Sequence, residues 1–149
     1  MLQRIREILT LALIALLPFH AFLVTIGTRV IQGPGHAPMS ALAVWKEVLL
    51  AVILLLAFIE IIARFGDKLL ESFFDGMDLC ILGLLAIAAA LQYHAPVSLP
   101  SFAYGFKYDF IPLLAFLLLR RLPWSDVFRA RLPTVVIFAG SLIALEGLA

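Results

Sequence analysis

Of the 149 residues, 64% are hydrophobic and 14% charged, and the mean hydropathy is +1.10, far above the apolar share of about 45–50% in a soluble globular domain. That excludes a water-soluble fold, and a net charge of +1 with no basic tract excludes a chain that follows a nucleic-acid backbone. The one cysteine, Cys80, excludes an internal disulfide and reads as a small packing residue in an apolar run.

An all-α, polytopic bundle of about five spans is therefore expected, as a single transmembrane domain over residues 1–149. Arg4 and Arg6 precede an apolar stretch that superficially looks like a signal peptide. Between Glu7 and Arg29, however, 21 residues carry no charge, enough for ~31 Å of helix, whereas a secretory core has about 7–15 residues. The segment is predicted to be an uncleaved first span, kinked where Pro18 removes the bond to Ile14. His20 falls near its middle. A packed histidine is the plain reading there, with a proton relay as the alternative that such depth allows. His36 and His94 fall in separate loops, so no spacing in the chain resembles a metal-ligand set, and neither a metal nor a cofactor is expected.

The Gly-Pro-Gly and Ala-Pro steps between Arg29 and Ser40 mark an exposed loop. The second span follows Ser40, with Trp45 in the aromatic belt, Lys46 and Glu47 beside it, and an apolar run to Arg64. Glu60 stands four residues before Arg64, a local partner that makes it structural. Lys46 and Glu47 are adjacent and point about 100° apart on a helix, so at least one should face another group. The stretch from Phe65 to Asp78 has Leu69, Leu70, Phe73 and Phe74 on one side, as an interfacial or ordinary loop helix would. In the third span, roughly Met77 to Tyr93, Gly83, Ala86 and Ala90 are spaced for close helix contact.

The fourth span is the informative one. Only ten residues from Phe110 to Leu119 precede Arg120, about 15 Å of helix against a hydrocarbon core of ~30 Å. The span must begin near Phe102, which brings Lys107 and Asp109 one to two turns below the surface, where charges demand a partner or a hydrated cavity. Snorkelling of Lys107, with Asp109 paired to a neighbouring helix, is the plainer account. Pro112 frees the carbonyl of Tyr108 next to both. A fifth span runs from Leu132 to the end, with Glu146 near its outer side and no polar tail beyond Ala149, so the chain is expected to be the amino-terminal part of a longer protein and inactive as a transferase alone.

Placing the N-terminus in the cytoplasm puts Arg4, Arg6, Arg64, Lys68, Arg120, Arg121, Arg129 and Arg131 inside, against Arg29, Lys46 and Lys107 outside. Eight basic residues against three satisfy the positive-inside rule. Arg29, His36, Lys46, Glu47, His94, Lys107, Tyr108 and Asp109 then border the outer surface and are expected to surround one cavity, where cations at membrane depth suit an anionic substrate such as a lipid-linked diphosphate.

The Trp-Lys-Glu head of WKEVLLAVILLLAF and the later GFKYDFIPLLAFLLLRR resemble the amino-terminal part of bacterial O-antigen ligase and polymerase-like membrane proteins. The resemblance implies a multi-pass protein of the bacterial inner membrane that handles undecaprenyl-diphosphate-linked glycans at its outer face. A sugar hydroxyl would displace the lipid diphosphate while cations stabilise the leaving group. Lys107 stands where the family commonly has an arginine, which keeps the charge but not the bidentate fork. The family's functional arginine and histidine in its later half have no counterpart here. Substrate-side roles therefore rest on Arg29, Lys46, Glu47, Lys107 and Asp109 alone, and catalytic residues are not assigned. The alternative is a non-enzymatic membrane subunit packed against further transmembrane helices, or part of a transporter, although no internal repeat is visible.

Overall fold

A computed structural model describes residues 1–37, 39–68, 75–94 and 98–146, excluding the side chains of Ser40, Ala43 and Glu146. The interfacial-helix expectation for Leu69, Leu70, Phe73 and Phe74 and the extreme C-terminus lie outside them. The described residues form helices α1 (Leu2–Leu16), α2 (Phe19–Gln32), α3 (Ser40–Ala43), α4 (Trp45–Phe65), α5 (Gly76–His94), α6 (Leu99–Asp109), α7 (Ile111–Leu119) and α8 (Asp126–Glu146), with a 3₁₀ turn at Gly66–Lys68. Among the described residues there is no strand. The all-α reading holds: four stretches are long and apolar enough to cross a membrane, and α1 with α2 makes a fifth if that bent pair is one span. No more than 17% of any of the four is buried within the protein, leaving broad apolar faces for lipid or for other helices.

The chain divides into two compact units, Met1–Leu56 with Pro123–Ala149, and Ala57–Leu122. In the first, α1 packs along α8 and α2 along α3. The single kinked helix expected across residues 8–28 is instead two helices bent by 70°. Buried Pro18 lies at the break, where the regular ladder gives way to a short bond from His20 N–H to Leu17 O at 3.1 Å. Ser40 also departs from expectation. It opens a separate turn of helix, ended by Val44, rather than leading straight into the second span. This turn comes so close to α2 that a Cβ on Gly27 would meet Leu42 Cδ1 at 2.7 Å.

The basic ends of this unit are tied together through a backbone carbonyl, a ring face and a hydroxyl. Arg6 is fully buried, donates through Nη2 to Pro123 O at 2.8 Å and lies 4.2 Å over the Trp124 ring. Glu7 accepts from the Ser125 amide and hydroxyl, each at 2.6 Å, and from Gln3 Nε2 at 3.0 Å. The Ser125 hydroxyl in turn accepts from Phe128 N–H at 3.2 Å and so caps α8. This makes α8 start at Asp126, six residues before the expected Leu132, with Pro133 inside it.

In the second unit, Ala57 and Ile61 of α4 are fully buried one turn apart and join Leu122 in a small core against Phe65, Leu118 and Leu119. Helix α5 begins with Asp75 as its cap, whose Oδ1 accepts from Asp78 N–H at 2.9 Å. Asp78, with no exposed surface, takes Arg120 at 3.2 Å and Arg121 as a second partner; Arg120 also pairs with Asp75. The small-residue face of α5 does not pack as expected: Gly83, Ala86 and Ala90 are exposed, and nothing lies within 4 Å of a Cβ built on Gly83. Cys80 is likewise exposed instead of buried.

Candidate functional site

In the first unit the sequence-designated residues fall into two places. At the end of α2, Arg29 lines a cavity of about 210 Å³ with Thr25, Thr28, Gly33, Gly35 and His36. Its floor is built from the loop's own chemistry. Thr28 Oγ1 donates to Val24 O at 2.6 Å and accepts from Met39 N–H at 2.9 Å, which draws the returning chain back onto α2. Gly33 and Gly35 adopt φ of 90° and 85°, a left-handed backbone that side chains with a Cβ resist, and so the loop can curl back over Arg29. His36 Nδ1–H donates to Gly33 O at 3.4 Å. Arg29 and His36 are exposed at the rim, and among the described residues no carboxylate pairs with Arg29. Arg29 and His36, both expected on the outer side, are brought together here by the Gly-Pro-Gly loop; that spacing was visible in the sequence, but the fold-back was not.

The second place is the head of α4. Lys46 and Glu47 are half-buried and act electrostatically on His20. The His20 and Trp45 rings lie 6.0 Å apart. The start of α2 thus lies beside the head of α4. His20 Nδ1 and Trp45 Nε1 are both buried with no hydrogen-bond partner among the described residues. Two such atoms on neighbouring rings each cost free energy until bonded.

In the second unit, α6 opens at Leu99, three residues before the expected Phe102, because Ser98 Oγ caps it by accepting from Ser101 N–H at 3.4 Å. The helical path breaks between Asp109 and Ile111, one turn before the bond that Pro112 cannot make. Lys107 is half-buried and its Nζ lies 5.4 Å from the Tyr108 ring centre, whereas Asp109 is exposed and lines a cavity of about 390 Å³. Phe102, tilted 6.0 Å from Phe106, and the stacked pair Phe106 and Phe110 at 5.3 Å form one wall of that cavity, and Gln92 and Ser101 add polar atoms. Such a wall suits the flat apolar face of a sugar, with Asp109 and Gln92 for its hydroxyls. Lys107 does not line it.

Arg29, Lys46 and Glu47 thus belong to one unit and Lys107 and Asp109 to the other. Among the described residues no group of three or more histidine, cysteine, aspartate or glutamate side chains gathers as a metal site would. No protein-family profile, curated protein or solved structure matches the chain.

Proposed function

We propose that this chain is the transmembrane portion of a glycan ligase- or polymerase-like protein that holds a lipid-diphosphate-linked saccharide at the outer face of the bacterial inner membrane. The observation that carries this reading is the cradle at the end of α2, where Arg29, His36 and the Gly33–Gly35 backbone surround a volume of about 210 Å³. A guanidinium at the mouth of a small cavity selects a phosphate-sized anion over a neutral sugar, through charge-assisted bonds. Lys46 adds a second cation in the same unit, and Lys107 takes the position the resemblance gives to a basic residue. Glu47 and Asp109 are acceptors for sugar hydroxyls. In the reaction that the resemblance implies, an acceptor hydroxyl forms the new glycosidic bond as the sugar–phosphate bond breaks, and the diphosphate leaves with the electron pair. The cations lower the energy of that departing charge.

The exposed face of α5 at Gly83, Ala86 and Ala90 favours a second role within the same setting, as a surface against which further transmembrane helices pack. A photoreactive polyprenyl diphosphate, presented to the chain in lipid nanodiscs, tests the ligand reading. Labelling is expected to fall about tenfold or more in Arg29→Gln, as the loss of one charge-assisted bond implies, and to be displaced by unlabelled polyprenyl diphosphate. Equal labelling by a neutral polyprenol of the same length, or labelling indifferent to both Arg29→Gln and Lys46→Gln, overturns it.

A further inference from the structure

A second amphiphilic site lies at the opposite, basic end of the first unit. Glu7 holds the first turn of α8 against α1 through Ser125, and beside that joint opens a cavity of about 450 Å³. Arg4, Ile8 and Leu11 line it from α1 and Val127 and Arg131 from α8. On α1 these positions follow the i, i+4, i+7 spacing of one helix face, and on α8 the i, i+4 spacing, so each wall carries a cation beside apolar residues.

The charge balance decides what the cavity takes. Glu7 is the one acid in its wall, and its two oxygens already accept from the Ser125 amide, the Ser125 hydroxyl and Gln3. Arg4 and Arg131 are exposed, and among the described residues neither has a carboxylate partner. Ile8 and Val127 remain 57% and 60% exposed between them. A free anion would satisfy the arginines and leave these side chains uncovered; a neutral lipid would cover them and leave the arginines without an anion.

We propose that this groove binds an anionic phospholipid, its phosphate held by Arg4 and Arg131 and an acyl chain lying along Ile8, Leu11 and Val127. The site is separate from the cradle at Arg29 and stands whether or not that cradle takes a diphosphate. Its occupant is a membrane component that fastens the α1–α8 joint to one leaflet.

The full chain in nanodiscs of phosphatidylcholine, with trace spin-labelled phosphatidylglycerol or spin-labelled phosphatidylcholine, gives the test. Phosphatidylglycerol is expected to show the larger motionally restricted fraction. Its preference should weaken about fivefold for each of Arg4→Gln and Arg131→Gln, the effect of one basic residue at an anionic lipid surface. Arg4→Lys and Arg131→Lys should keep most of it, and Ile8→Asn should lower restriction for both lipids. Equal restriction of the two lipids, or a preference that survives the double glutamine variant with helix content unchanged, overturns the proposal. Free glycerol phosphate competing as well as the lipid also overturns it, because the site would then be an anion site without an acyl groove. If the glutamine variants do not fold, a salt titration of the unaltered chain decides, since a preference that does not fall with added salt contradicts pairing by exposed arginines.

Discussion

Two joints in this protein bury an arginine, and they do so by different means. At the α1–α8 joint, Arg6 meets a backbone carbonyl and an indole face, and Glu7 meets an amide, a hydroxyl and a side-chain amide. At the α5–α7 joint, Arg120 and Arg121 meet Asp75 and Asp78 in direct ion pairs. The first arrangement gives Glu7 three neutral donors beside its attraction to Arg6, so the loss of one partner leaves others in place. The second commits one buried carboxylate to two guanidinium groups, and its removal strands both. The comparison teaches that a basic residue counted toward membrane orientation can also be a structural fastener, with a robustness set by its partners.

The largest expected effect follows from that asymmetry. Asp78→Ala should destabilise the protein by about 3–5 kcal/mol, as breaking a buried ion pair does, read as a lower unfolding midpoint by circular dichroism in detergent. A loss no greater than that of an exposed pair would erase the distinction between the joints. Glu7→Ala should cost less, about 1–3 kcal/mol, for the unsatisfied Ser125 amide; a larger loss than for Asp78→Ala would reverse the ranking. Trp124→Leu removes the ring beneath Arg6 and should cost about 0.5–2 kcal/mol, which a double variant with Arg6→Met separates from simple loss of packing area.

The smallest effect is a pH dependence. The Asp78 amide, and after it the Arg120 side chain, hold the Asp75 carboxyl below its ordinary value of 3.8. A depressed carboxylate stabilises the fold above its unfolded value and loses that contribution as pH falls through the lower folded value. Stability of the unaltered chain should therefore decline below about pH 4, and Asp75→Asn should flatten that decline by lowering the neutral-pH midpoint while leaving the acid midpoint nearly unchanged. Identical acid profiles for the two would remove Asp75 from the joint.

The spans were legible because apolar length is a local property: α4 and α5 begin and end within a few residues of the charges and aromatics that bound them in sequence. Pro18 and Pro112 marked the breaks for the same reason, since a missing N–H acts on its own turn. The size of the bend at Pro18 was not legible, and with it went the meeting of His20 with Trp45, because that angle depends on more than the local turn. Arg6, Asp78 and Arg121 were read as loop and flank charges. Their burial depends on partners far away in sequence, as Arg6 with Pro123 and Arg121 with Asp78 show, and no local pattern announces such pairs. One signal was available: Asp75 stands three residues before Asp78 at the head of an apolar run, the spacing of a helix start with acids in its first turn. Gly83, Ala86 and Ala90 meet no neighbour among the described residues, because spacing states which residues can meet a neighbour and leaves open whether this chain supplies one.

The exposure of Cys80 gives the protein a native reporter. It is the one thiol in the chain, it lies on the exposed surface of α5, and Gly83 follows it by three residues, nearly one turn. A spin or fluorescent probe attached there needs no engineered cysteine and reads the immediate surroundings of the α5 surface. In lipid alone it would register the rapid motion of acyl chains, and any helix that docks beside Gly83 would slow it.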